Sequence, residues 1–228
     1  MRCGQSLPWM CLMMISASMS CSRRSPTARL SSPPSTLASP SVAERGEGAE
    51  LIGTAAPEWE VAEWFGSAPL RLASLRGKVV LVRWFTAADC PYCAATAPAL
   101  NQLHRDYHDR GLVVIGMYHH KRSEPLDPGA VRKLVGQYGF EFPVAIDRDW
   151  RTLHRWWTDG HDRQFTSVSF LVDQRGIIRK VHPGGTLAPG TPDYLALRAK
   201  IDELLAPSWR AGATKPSPFD LPGLARSR

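Results

Sequence analysis

The 228-residue chain has only five cysteines, and three of them, Cys3, Cys11 and Cys21, fall within its first 21 residues. The remaining two, Cys90 and Cys93, have no second pair of soft ligands downstream, so the four-ligand structural zinc site that a Cys-x-x-Cys otherwise suggests is excluded. The apolar stretch from Leu7 to Ile15 is too short to cross a bilayer. Internal repeats are absent as well, which excludes an array of stacked units. Charge is scarce where the chain should fold: of 28 Lys/Arg and 21 Asp/Glu, residues 1–48 and 209–228 hold nine and three, leaving 19 and 18 between them. The net charge of +7 therefore belongs mostly to the ends. A near-neutral middle excludes a dedicated nucleic-acid surface, which would gather cations on one folded face.

Composition divides the chain into parts. Residues 1–48 and 209–228 are rich in Ser, Pro, Arg and Gly without sustained periodicity, whereas 49–208 carries the strand and helix patterns and is long enough for one core. Residues 1–21 read as a secretory signal, with the apolar segment 7–15 followed by small residues up to Cys21. Ser18-Met19-Ser20-Cys21 is similar to a bacterial lipobox, in which Cys21 would carry the lipid. Residues 22–48, with Pro26, Pro33, Pro34 and Pro40 among serines, would then be an extended tether, and 209–228 a disordered basic tail. The expected location is the bacterial periplasm or cell envelope, with attachment to a membrane through Cys21.

The chemistry is concentrated in Ala88-Asp89-Cys90-Pro91-Tyr92-Cys93. Before it, Gly77 to Phe85 is β-branched and aromatic and too short for a globular helix, so it reads as a central strand. After it, apolar residues at Ala97, Leu100, Leu103 and Tyr107 keep a helical period. Cys90 would then stand at a helix N-terminus, where free backbone N–H groups and the helix dipole favour a thiolate. On this reading Cys90 is the attacking sulfur, and Cys93, one turn further in and less exposed, resolves the mixed disulfide. Asp89 reads as the helix cap.

Around this stretch the chain has a regular order. Turn residues 65–69 between Ala56-Pro57-Glu58-Trp59 and Leu70-Arg71-Leu72 predict a small N-terminal hairpin. Leu112 to Tyr118 is a second buried strand, parallel to the first because a helix connects them. That connection brings His119 and His120 to the same edge as Cys90; their plainest reading is as solvated loop residues, and the alternative is as metal ligands. A helix over 130–138, a short strand over 142–147, an aromatic helix over 150–157, strands over 165–172 and 177–182, and a last helix over 192–205 follow. Leu195, Leu197, Ile201, Leu204 and Leu205 are expected on the buried face of that helix. Trp150, Trp156 and Trp157 read as packing, or as one wall of a groove beside loop 158–165.

These motifs, taken in order, resemble the thioredoxin-like fold and within it the envelope thiol-disulfide oxidoreductases of the TlpA/ResA type and the wider redoxin group. The resemblance covers residues 51–206 and rests on Ala56-Pro57-Glu58-Trp59, on Leu75 to Val82, on Cys90 to Cys93 with Pro98 following, on Phe142 to Asp147, and on Phe170-Leu171-Val172-Asp173 with Gly176. It implies an α/β three-layer sandwich around a central mixed sheet. It further implies an enzyme without a cofactor, in which Cys90 and Cys93 are catalytic and exchange with protein or small-molecule disulfides, while a separate redox partner donates electrons. Pro91, Tyr92, Thr166 and Ser167 would line the substrate groove.

Three positions depart from that pattern. Where the family carries a cis-proline facing the cysteines, this chain has Ser167, preceded by Thr166. The buried carboxylate of thioredoxins falls near Trp84 and that of ResA-type proteins at Thr96, so neither proton acceptor is present. Asp89 replaces the tryptophan usual before the first cysteine. These departures leave two further readings open, a copper- or zinc-binding protein of the same fold using Cys90, Cys93 and a histidine, and a redox-inert binding module.

Overall fold

The structure, a computed structural model, describes residues 46–206. The signal-like segment, nearly all of the Ser/Pro stretch, Cys21 and the basic tail lie outside the described residues. Six strands form one mixed sheet in the order β1-β4-β3-β2-β5-β6. Their ranges are β1 (Glu63–Phe65), β2 (Val79–Phe85), β3 (Leu112–His119), β4 (Val144–Asp147), β5 (Ser169–Val172) and β6 (Ile178–His182). The β2–β3 and β3–β4 pairs are parallel, and β1–β4, β2–β5 and β5–β6 are antiparallel.

β2 is buried along its whole length, as expected for a β-branched run at the centre of a sheet covered on both faces. Its alternating side chains feed two cores. Val79, Leu81 and Phe85 pack under helices α1 (Pro91–Tyr107), α2 (Pro128–Gln137) and α4 (Pro192–Leu205), while Val80, Val82 and Trp84 face the opposite layer. That second layer is built from the chain around Trp59 and from the short helix α3 (Arg151–Leu153), which continues as a π-helical turn over His154–Thr158. Trp84, Trp156, Trp157 and Phe170 meet there in tilted and edge-on pairs.

Several local expectations change. The N-terminal hairpin does not form: β1 is a single strand whose partner is β4, and Leu72–Leu75 is a 3-10 turn held by Glu58, whose carboxylate accepts from the N–H groups of Leu72 and Ala73. The strand expected over 165–172 begins only at Ser169, because Phe165 to Ser167 bend across the active edge of the sheet. In α4, Thr191 and Pro192 take the cap and first-turn positions as expected, but the buried residues are Tyr194, Leu197 and Ile201, and Leu195 is exposed.

Candidate active site

The site stands at the C-terminal end of β2, where residues 86–90 lead into α1. Cys90 and Cys93 are joined as a disulfide, with Cα atoms 5.3 Å apart. The helix-start position of Cys90 is as expected, and the cap itself is a correction: Cys90, not Asp89, is the N-cap, its Sγ accepting from the Cys93 N–H at 3.2 Å. Pro91 takes the first turn, where its missing N–H has no consequence. Asp89 instead forms an ion pair with Arg122 at 2.7 Å. Its charge is thus largely balanced beside Cys90.

The two sulfurs differ in access. Cys90 is half-buried next to exposed Pro91 and Tyr92, whereas Cys93 is 3% exposed and packed in the helical core. The polar neighbour of Cys93 is Ser167, whose Oγ lies 3.5 Å from its Sγ. Thr166 turns the other way, sharing a hydrogen bond of 2.8 Å with His119 Nε2. Of the two residues expected in the groove, Ser167 therefore faces the dithiol, while the Thr166 side chain faces His119. Phe165 completes the rim with its ring edge-on to Tyr92 at 5.6 Å. This contact depends on Gly184, since a Cβ there would collide with the Phe165 side chain. Phe165, expected as the first residue of a strand, gives no local sign in the sequence of what it will touch.

The histidines are not placed as the sequence suggested. His119 is fully buried, on the sheet face of Trp150, whose ring meets it edge-on at 5.0 Å. Burial drives its pKa down to about 3, Lys121 adds to this, and the Phe85 backbone offsets only a part. It is a neutral structural ring. His120 is half-buried, with the Tyr118 hydroxyl at 3.1 Å from Nδ1 and the Glu124 carbonyl at 2.6 Å from Nε2. Neither ring is directed at the sulfurs. Among the described residues no three His, Cys, Asp or Glu side chains converge on a point that would hold a metal.

The positions of the missing carboxylates are occupied by other chemistry. Thr96 is buried one turn beyond Cys93; its Oγ1 donates to the Tyr92 carbonyl at 2.7 Å and accepts from the Leu187 N–H at 3.1 Å. A buried carboxylate does exist, Asp147, but it accepts from Trp84 Nε1 and from the N–H groups of Thr152 and Leu153, in the layer that faces away from the cysteines. On the cysteine side, β2 carries Arg83, 1% exposed, which in the sequence is marked only as one residue of a strand. Its guanidinium donates to Ser169 Oγ at 3.1 Å and to the Gly185 carbonyl at 3.0 Å, and lies 3.3 Å from His182 Nδ1.

A cavity of about 500 Å³ opens beside residues 87–88, lined by Ala87, Ala88, Tyr118, His120, Arg122 and one face of α2 as far as Gln137. It adjoins the Asp89–Arg122 pair.

Comparison with known proteins places this geometry. Residues 52–181 match the AhpC/TSA family. The chain is 30% identical over 172 residues to the protein DipZ of Mycobacterium bovis, covering 74% of this chain and 23% of that relative's length. It is 27% identical over 128 residues to the thiol-disulfide oxidoreductase ResA of Halalkalibacterium halodurans, covering 56% of this chain and 66% of that protein. The crystal structure of a thiol-disulfide isomerase from Corynebacterium glutamicum superposes with a TM-score of 0.53 at 28% identity, over 67% of this chain and 97% of that one. With more than half of its length matched, and with its cysteine pair at the start of the first helix of a thioredoxin-like sheet, this chain belongs to the AhpC/TSA family.

Proposed function

We propose that the protein is a thiol-disulfide oxidoreductase that exchanges the Cys90–Cys93 pair with the disulfides or dithiols of protein substrates. The observation that carries this reading is the asymmetry of the pair: Cys90 is accessible and receives a helix-start N–H, while Cys93 is buried within bonding distance of it. In the reducing direction the Cys90 thiolate attacks a substrate disulfide and the far substrate sulfur leaves. Cys93, losing its proton, then attacks Cys90 Sγ, and the second substrate sulfur leaves as a thiol. The enzyme keeps the disulfide, and two electrons have passed to the substrate. An extended substrate would lie along Tyr92, Phe165 and the backbone of Thr166 and Ser167. A reduced partner protein would restore the dithiol.

The reading extends to location. The apolar segment 7–15, the small residues before Cys21 and the Pro/Ser stretch after it support export to a bacterial envelope and lipid attachment at Cys21, with residues 22–48 as tether. The ResA and isomerase relatives support the activity in general terms.

Reduction of insulin disulfides by the dithiol form, and its loss in Cys90→Ser, tests the proposal. An oxidised pair that fails to exchange with either glutathione or a protein disulfide would leave a redox-inert module.

A further inference from the structure

Arg83 is a buried cation without a counter-charge among the described residues. By strand alternation it points to the same face as Leu81 and Phe85, the face on which α1 and Cys93 pack. Its partners are a hydroxyl, a ring nitrogen and a carbonyl; no carboxylate among the described residues is one of them, and its Nε has no partner. His182 stands between it and Asp193, whose carboxylate lies 3.6 Å from the far ring nitrogen and whose side chain is 70% exposed. A guanidinium placed this way is costly to bury, and an apolar side chain would fill the same space at less expense in stability. Its charge is therefore the feature to account for.

Two short routes connect that charge to the dithiol. Ser169, which Arg83 holds, is two residues from Ser167, the neighbour of Cys93 Sγ. Gly185, whose carbonyl Arg83 also holds, is two residues from Leu187, whose N–H meets Thr96, which in turn holds the Tyr92 carbonyl between the cysteines. Arg83, Ser169, Ser167, Thr96 and Cys93 are each buried, so both routes run through a layer away from water. Thr96, in the helix that carries Cys93, is the position at which the resemblance to ResA-type proteins implies a carboxylate. We propose that Arg83 is a positioning residue that sets the redox balance: its guanidinium favours the thiolate of the reduced pair and makes the protein an acceptor of electrons from substrate dithiols.

The proposal rests on the thiol-disulfide reading above. Its physics is a difference between states. The disulfide is neutral and the reduced pair carries a thiolate, so a fixed cation in a layer of low dielectric stabilises only the reduced form. In the favoured direction the Cys90–Cys93 disulfide takes two electrons from a substrate dithiol. The S–S bond of the enzyme breaks, one forms in the substrate, and of the two protons released one remains on Cys93 while the other goes to solvent. Burial lowers the Arg83 pKa to about 9, which still leaves it charged at neutral pH. The other charged or titratable groups around the layer weigh less: His182 and His119 are neutral, and Asp89 is balanced by Arg122.

The test is the equilibrium of the full chain with glutathione, read by mass shift of the peptide that holds both cysteines after alkylation. Arg83→Met should move that equilibrium toward the disulfide by about tenfold, equivalent to about 30 mV more reducing. The rate of Cys90 alkylation at pH 7 should fall in step. Arg83→Lys, which keeps the charge, should stay within about threefold of wild type. Should Arg83→Met not fold, Ser169→Asp keeps Arg83 and supplies the absent counter-charge, and the same shift is expected. Wild-type values in a folded Arg83→Met or Ser169→Asp protein overturn the proposal, as does a wild-type Cys90 that titrates at or above the free-cysteine value of about 8.5. A wild-type pair that does not exchange with glutathione at all overturns the oxidoreductase reading and this one with it.

Discussion

The hydroxyl of Ser167 lies 3.5 Å from the buried sulfur of Cys93, at the position where the family resemblance implies an apolar proline ring. A hydroxyl donates to a thiolate and a ring does not. Under the proposed exchange Cys93 would become a thiolate in a buried, largely apolar setting, and Ser167 is the side chain placed to assist it. Ser167→Ala should slow resolution of the mixed disulfide by about tenfold, the rate equivalent of one hydrogen bond to a charged group. Attack by Cys90 should be little affected. Single-turnover kinetics with a mixed-disulfide substrate separates the two steps, and an equal slowing of both would show that Ser167 acts only through structure.

The division of labour between the cysteines gives a second expectation. Cys90 receives the helix-start N–H and is accessible, while Cys93 is 3% exposed. A Cys93→Ser protein should accumulate mixed disulfides through Cys90, and a Cys90→Ser protein should trap at least tenfold less. Equal trapping by both variants contradicts the assignment.

The placement of the two cysteines was legible in the sequence because it rests on a local signal. A β-branched run followed by Cys-x-x-Cys and a helical period gives a strand, a turn and a capped helix without knowledge of any distant contact, and Thr191-Pro192 marks α4 in the same way. What was not legible depends on contacts far along the chain. The pairing of β1 with β4 joins Glu63 to Ile146, and no turn signal can announce a partner that distant. His119 and Arg83 share this difficulty. Each is a polar residue in a strand, and whether it faces the cysteines or the tryptophans is fixed only once the sheet is covered by its two layers.

The two buried histidines set a pH dependence of stability. Burial holds His119 at about 3 and His182 at about 4, against 6.5 for an unperturbed imidazole. Between pH 6.5 and 4 the unfolded chain binds protons that the folded chain does not, so unfolding becomes easier as the pH falls. The slope is about 1.4 kcal/mol per pH unit for each histidine. Above pH 6.5 neither state protonates them and the term vanishes. Urea unfolding at pH 7.0, 5.5 and 4.5 should show the loss. A His119→Gln protein should lose stability less steeply over that range, although it starts lower.

Asp147 separates fold stability from redox chemistry. Its carboxylate accepts from Trp84 Nε1 at 3.2 Å and from the Leu153 N–H at 2.7 Å, tying β2 and α3 to the layer opposite the cysteines. Asp147→Ala leaves these donors buried and unmet, and should lower stability by about 3 kcal/mol. The glutathione equilibrium of the cysteines should stay within about twofold of wild type. Denaturant unfolding and the redox titration, made on the same preparation, check both parts.

The Asp89–Arg122 pair provides the last expectation. Asp89 immediately precedes Cys90, and Arg122, reaching from the segment after β3, meets its carboxylate at 2.7 Å. Both side chains are largely in solvent, at 73% and 45% exposure, so the pair adds little to stability. Its effect should be on reactivity. Removing Arg122 leaves an unbalanced negative charge beside the sulfur at which a thiolate must form, opposing the helix dipole that favours it. Arg122→Ala should therefore slow alkylation of Cys90 at pH 7 by about threefold at low salt, and the same carboxylate should lose much of its influence near 1 M salt, where charges are screened within about 3 Å. Asp89→Asn should act in the opposite sense and raise the rate. A slowing in Arg122→Ala that is unchanged by salt would mean that Arg122 acts on the shape of the adjoining cavity and not on the charge at Cys90.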